Sequence, residues 1–186
     1  FRRVLFRSHP DDRRALLALE SLAREQGDND ALWRHLLRKS ELVSSDDDER
    51  VAAVAEAAGL AAGPLSRPDD AIASWEQVLE LAPERRDAYE ALDGLYQRQA
   101  RWSALTELVE RRMGFAVTNE EAVALRFKLA EIHRQHLVDH EGALEHYGAA
   151  LGADTRHPGS LAAVESYLSD PAWRANAAAI LEPIYV

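Results

Sequence analysis

Cysteine is absent from this chain of 186 residues. Its absence removes disulfides, thiolate metal sites and cysteine nucleophiles. Lysine is almost absent: only Lys39 and Lys128 occur, so arginine carries nearly all the positive charge. No run approaches 18 uncharged apolar residues, so no membrane insertion is expected. Alternating β-branched residues are missing, which argues against strands. A glycine-rich phosphate loop, a Gly-x-Ser-x-Gly elbow and a His-Glu-x-x-His motif are all missing too. The expectation is therefore no enzyme, no cofactor and no small-molecule substrate.

Acids outnumber bases. Thirty-two Asp and Glu against 22 Lys and Arg give a formal charge of −10. An acidic chain without a local basic stripe repels phosphate backbones, so no nucleic acid partner is expected. Usage rich in alanine and arginine and poor in lysine resembles a high-GC bacterial genome. The first eight residues, Phe1 to Ser8, read FRRVLFRS and resemble a translated sequencing adapter. Residues 1–9 are set aside as non-native, as tags and scars are. Without Arg2, Arg3 and Arg7 the formal charge becomes −13. With no starting Met and no signal-peptide pattern, the chain reads as a fragment. The cytoplasm is favoured, and the periplasm stays open because the native N-terminus is missing.

What is present is a repeat. Pro10-x4-Ala15-x2-Ala18-Leu19-x2-Leu22 recurs 73 residues later as Pro83-x4-Ala88-x2-Ala91-Leu92-x2-Leu95. Pro68-x2-Ala71-Ile72-x2-Trp75-x3-Leu79 recurs after 72 residues as His140-x2-Ala143-Leu144-x2-Tyr147-x3-Leu151. A fixed period is the mark of stacked repeats. The repeat divides the chain into units at 10–82, 83–154 and 155–186.

Apolar residues recur at helical spacing within the units. Ten helices are predicted, at roughly 10–26, 29–43, 47–62, 68–81, 84–99, 102–115, 119–137, 140–152, 157–168 and 171–185. Thr118-x-x-Glu121 is a capping-box pattern, and Asp46-x-x-Glu49 holds the same place one repeat earlier. Asp170-Pro171 reads as an N-cap followed by a proline in the first turn. Gly27, Gly63 and Gly152 fall near helix ends. Linkers of two to six residues make consecutive helices antiparallel neighbours.

Each unit then holds two helical hairpins of about 36 residues, close to the 34-residue period of tetratricopeptide repeats. Ala71-x3-Trp75-x2-Val78-x4-Pro83 resembles the second-helix signature of that family. Ala143-x3-Tyr147-x2-Ala150 repeats it, with Thr155 in the place of the proline. Leu92-x3-Tyr96 and Leu129-Ala130-x2-His133 are similar to the first-helix signature. His133 departs from the usual tyrosine, and the turn at Leu137-Val138-Asp139 is about one residue longer. Leu105 and Val109 replace a small residue and an aromatic. The resemblance covers 10–186 and implies an all-α fold, a right-handed α-solenoid of antiparallel hairpins. Small residues such as Ala71 and Ala143 let helices approach, and Trp75 and Tyr147 fill the space between hairpins.

The segment from Ala177 to Tyr185 reads as the first helix of a further hairpin lacking its second. Ile180, Leu181, Ile184 and Tyr185 would then be an uncovered interface.

In tetratricopeptide arrays, first helices line a concave groove. Carried over, the groove sites are Arg14, Ser21 and Arg24, then Glu90, Gln97 and Arg98, then Glu131, Arg134 and Gln135. The second hairpin offers mostly Ala55 and Ala62. Arginine grips a carboxylate with two parallel bonds, so Arg98 and Arg134 suit an extended peptide. Some family members clamp a terminal carboxylate with lysine and asparagine. The matching places here hold Glu90, Gly94, Phe127 and Glu131, which do not support that ligand.

His133, His136 and His140 form the one metal-like cluster, beside Asp139 and Glu141. Packing and solvation explain them better, as one core histidine and two solvated ones. Asp46-Asp47-Asp48-Glu49 lacks the pattern of a calcium loop and suits a helix N-terminus. Trp75, Trp102 and Trp173 read as packing residues; Trp33 has no counterpart in the repeat and is the candidate for exposure.

The function expected is a non-enzymatic scaffold for a protein or peptide partner. The alternative is a spacer or sensor arm of a larger multidomain regulator or envelope-assembly protein. A histidine-rich metal-binding protein is a remote third.

Overall fold

The helical period of the sequence carries through to the structure. The structure is a computed structural model, and it describes residues 13–42 and 47–186. The adapter-like segment at 1–9, the repeat residue Pro10 and the cap residue Asp46 lie outside the described residues. Among the described residues there are ten α-helices and no strand. They are α1 (Arg13–Gln26), α2 (Asn29–Leu42), α3 (Asp47–Ala62), α4 (Pro68–Leu81), α5 (Arg86–Arg98), α6 (Trp102–Met113), α7 (Asn119–Ile132), α8 (His140–Ala153), α9 (Pro158–Tyr167) and α10 (Arg174–Tyr185).

The chain divides into two compact units, one ending at Leu95 and the other beginning at Tyr96, inside α5. In the first, α1 packs on α2, α2 on α3 and α3 on α4. Its core gathers Ala23 from α1, Ala31, Leu32 and Leu36 from α2, and Ala53 and Ala57 from α3. The alanines bring the axes together, and Leu32 and Leu36 fill the seam. In the second unit α6 packs on α7, α7 on α8, α8 on α9 and α9 on α10. Its core joins Ala130, Ala143, Leu144, Tyr147, Leu151, Val164, Tyr167, Ala177 and Leu181. The signature residues Ala71, Val78, Ala143, Tyr147 and Ala150 are all fully buried, as packing positions must be.

The repeat is also written in the turns. The residues that close α1, α3, α5 and α7 all have left-handed backbone: Gly27 (φ 66°), Ser66 (51°), Ala100 (53°) and Val138 (55°). After α1, the Asp28 N–H bonds the Ala23 carbonyl at 2.9 Å, five residues back. After α5, Arg101 bonds Tyr96 in the same way at 2.9 Å. After α3 and α7 the chain takes one residue more. Arg67 closes on Ala61 at 2.7 Å and Asp139 on His133 at 2.9 Å, each six residues back. In the later copy the extra residue is absorbed as a π-turn, His133–Leu137, that prolongs α7. The added residue anticipated at Leu137-Val138-Asp139 is therefore a local widening of the helix.

Three expectations need correction. Asp170 does not cap α10: its carboxylate takes the Ala172 N–H at 2.9 Å, a turn follows, and the helix begins at Arg174 with Trp173 as N-cap. The segment from Ala177 to Tyr185 is not the first helix of another hairpin. It belongs to α10, which packs on α9 and also reaches α8. Nor is its apolar face uncovered. Leu181 is buried, Ile180 and Ile184 pack against the core, and Tyr185, mostly exposed, donates its hydroxyl to Glu165 at 2.5 Å. Gly148 of α8 makes room for Ile180, whose nearest carbons lie 3.4 Å from where a side chain would begin.

Candidate functional site

The nine groove residues expected from the sequence fall into two groups. Arg14, Ser21 and Arg24 on α1 are exposed, as are Glu90, Gln97 and Arg98 on α5. Arg24 is not idle: its guanidinium donates to Glu56 of α3 at 2.7 Å, tying two first helices together. Ser21 donates to Glu25 at 3.5 Å.

Glu131, Arg134 and Gln135 form the second group, and they engage one another. Arg134 donates to both Glu131 oxygens at 3.0 Å, and Gln135 and the buried Tyr147 hydroxyl donate to the same carboxylate. Burial first, and the Glu131 charge second, push the Tyr147 phenol well above its ordinary range. An arginine so held has its planar fork turned inward, although its Nε is buried with no hydrogen-bond partner. The sequence showed these residues sharing a helix face. It did not show that Tyr147, on the next helix, would take up the carboxylate.

The three histidines of the metal-like cluster go separate ways. His133 Nδ1 stands 2.8 Å from Asp139 Oδ2. His136 stacks on Trp102 with ring centres 3.5 Å apart and planes within 6°. His140 Nδ1 meets the Tyr167 hydroxyl at 3.0 Å and is half-buried rather than solvated. Among the described residues no group of three His, Cys, Asp or Glu is placed to hold a metal. The Gly142 N–H first, and His133 next, hold the Asp139 carboxyl below its ordinary range.

Trp33 is half-buried against the first core, with the Arg67 guanidinium 5.3 Å above its ring. It is therefore a packing residue rather than an exposed anchor. Trp102 opens α6 and Trp173 caps α10, as their shared phase implied.

Sequence reading missed one concave feature. A pocket of about 280 Å³ lies where the start of α7, the end of α8 and the turn before α9 meet. Asn119, Glu120, Val123, Ala124, Ala153, Asp154 and His157 line it. The Asn119 amide donates to the Ala153 carbonyl at 3.1 Å and closes one wall. His157 Nδ1 accepts the Ser160 N–H at 3.2 Å, so the imidazole serves as N-cap of α9. No residue type in this set announces itself at the sequence level, because the seven come from three separate segments.

No helix among the described residues is long and apolar enough to cross a membrane. No protein-family model matches the chain, and no curated protein sequence matches it significantly. Solved structures do. A crystal structure of MamA covers 90% of this chain and 92% of its own at 16% identity, with a TM-score of 0.50. A second MamA structure covers 91% and 87% at 16% identity, again with a TM-score of 0.50. YrrB, described as a TPR protein with an unusual peptide-binding site, covers 96% and 88% at 16% identity with a TM-score of 0.48. At such identities the likeness speaks for fold alone: an all-α, tetratricopeptide-like arrangement of helical hairpins.

Proposed function

We propose that the chain is a non-enzymatic scaffold that binds a protein or peptide through the faces of its first helices. The observation that carries this reading is the division of labour on those helices. On α1, Ala15, Leu16, Leu19 and Ala23 are buried, whereas Arg14, Ser21 and Arg24 on the opposite side are exposed. On α5, Ala88, Leu92 and Leu95 are buried, whereas Glu90, Gln97 and Arg98 are exposed. Hairpins that bury one stripe and leave a polar one outside offer a surface rather than a closed reaction chamber.

On this reading Arg14, Ser21, Arg24, Glu90, Gln97 and Arg98 are the contact residues. Glu131, Arg134 and Gln135 form a second contact group that has to exchange its internal bonds to engage a partner. The sequence units 10–82, 83–154 and 155–186 are the structural repeats.

Affinity capture with the native chain, followed by quantitative comparison of R98A and R134A, tests the proposal. The expected result is a partner whose capture drops in R98A and drops less in R134A, where Glu131 already holds the guanidinium. Capture of every partner unchanged in both variants, and in R14A/R24A, contradicts it.

A further inference from the structure

We propose that the pocket between α7, α8 and α9 receives the side chain of a lysine or arginine carried by a partner protein. This deepens the partner-binding reading by naming one group that the partner must present.

The lining has the polarity of a cation site. Glu120 and Asp154 bring two carboxylates, and α8 brings its C-terminal end, where unsatisfied carbonyls concentrate partial negative charge. The floor is apolar, made by Val123, Ala124 and Ala153. A long cationic side chain has the matching make-up: an alkyl stem that lies on apolar surface and a charged head that seeks oxygen. The volume, about 280 Å³, is at the bottom of the range for small-molecule sites and suits one side chain better than a free ligand. The start of α7 also faces this region, and its positive end is already answered by Thr118, whose hydroxyl accepts the Glu121 N–H at 3.1 Å.

The repeat supplies a control inside the molecule. Ala82 stands 72 residues before Asp154, at the C-cap of α4. Its backbone (φ −137°, ψ 80°) nearly matches that of Asp154 (φ −141°, ψ 97°). Both cap N–H groups bond the carbonyl four residues back, on Val78 and Ala150. The cap therefore forms without a carboxylate. In the later copy one Asp154 oxygen accepts the Arg156 N–H at 3.0 Å. Glu120, on the exposed rim, makes no ion pair among the described residues. Neither carboxylate is consumed by an internal cation.

The probes are short blocked peptides, acetyl-Gly-X-Gly-amide with X as Arg, Lys, norleucine or Glu. Each is titrated into the isotopically labelled full chain by amide-resolved NMR. The Arg and Lys peptides are expected to move the amides of Asn119, Ala124 and Asp154, more at low salt than at high salt. Norleucine, with the stem but no charge, and Glu are expected not to. In E120Q/D154N the response to Arg should weaken about tenfold or more, the scale of losing charge-assisted bonds. D154A, which copies Ala82, should melt like the native chain and still lose affinity, which separates binding from folding. No movement with Arg or Lys, or equal movement with norleucine, overturns the proposal. Either result leaves the faces of α1 and α5 as they were, because those are read by capture with R14A/R24A and R98A.

Discussion

The N–H of Asp139 bonds the carbonyl of His133 at 2.9 Å, and the residue enclosed by that bond, Val138, is left-handed at φ 55°. A β-branched residue is poorly suited to this region, which costs L-residues about 1–2 kcal/mol. Val138 is also largely exposed, so its side chain gains little from packing. Replacing it by glycine removes the strain. V138G should stabilise the chain by about 1 kcal/mol in urea unfolding, and A100G by less. A destabilised V138G would mean that the turn is built differently.

Gly142 illustrates the opposite case. A methyl group there would lie 2.3 Å from Asp139 Oδ2 and 2.7 Å from His133 Nδ1. Asp139 caps α8 through the Gly142 N–H at 3.0 Å, so the intruding carbon displaces the cap. Alanine normally favours a helix over glycine by about 0.5–1 kcal/mol. G142A should instead destabilise by about 1–2 kcal/mol, the scale of a lost N-cap. G59A, where a side chain meets nothing within 4 Å, should stabilise. Equal signs for the two variants in the same unfolding assay go against the geometry.

Ala71 and Ala143 are both fully buried at positions where helices close on one another. A71W overpacks such a seam and should cost about 1–3 kcal/mol. Y147F keeps the ring but takes away the hydroxyl donated to Glu131. Its cost should be about 1 kcal/mol, because Arg134 and Gln135 still satisfy the carboxylate. Unfolding curves that leave both variants unchanged would remove these contacts from the description of the core.

His146 sets a pH dependence. Burial first, and the neighbouring His133 second, depress its imidazole below the ordinary value; the two rings lie 5.1 Å apart. Glu145 and Glu110 pull the other way, and Arg126 adds to the depression. A depressed histidine binds fewer protons folded than unfolded. Its contribution is complete above about pH 6.5 and is lost as the pH falls below that. The Asp87 and Asp139 carboxyls are also held low, and their contributions fade only below the ordinary carboxylate range. Melting temperature should therefore fall between about pH 7.5 and about pH 5.5, and H146Q should flatten part of that slope. A native curve that is level over this interval contradicts the burial of His146.

Much of the fold was legible because helical spacing and repeat phase are local properties of the chain. The bounds of α3 and α4 match those predicted to within a residue. The Thr118 cap was legible too, with one change: the Glu121 carboxylate reaches the Val117 N–H at 3.3 Å, one residue before the cap. What was not legible depends on distant partners. Ile180 and Ile184 read as an uncovered face because nothing local shows Gly148 opening a space for them. Asp170-Pro171 carries the local signs of a helix start, but the chain makes a turn there before α10 begins. Arg134 reads as a free grip until Glu131 and Tyr147 are placed beside it. The acidic pocket draws on three segments, and only its half of the repeat carries a carboxylate at the α8 cap.

The repeat itself is most directly tested at four backbone positions. Intraresidue amide-to-Hα distances and couplings, measured by NMR on the native chain, report the sign of φ. Positive values at Gly27, Ser66, Ala100 and Val138 together are the expected result. Negative φ at Ser66 and Val138 would contradict a chain built from hairpins that close in the same way every second turn.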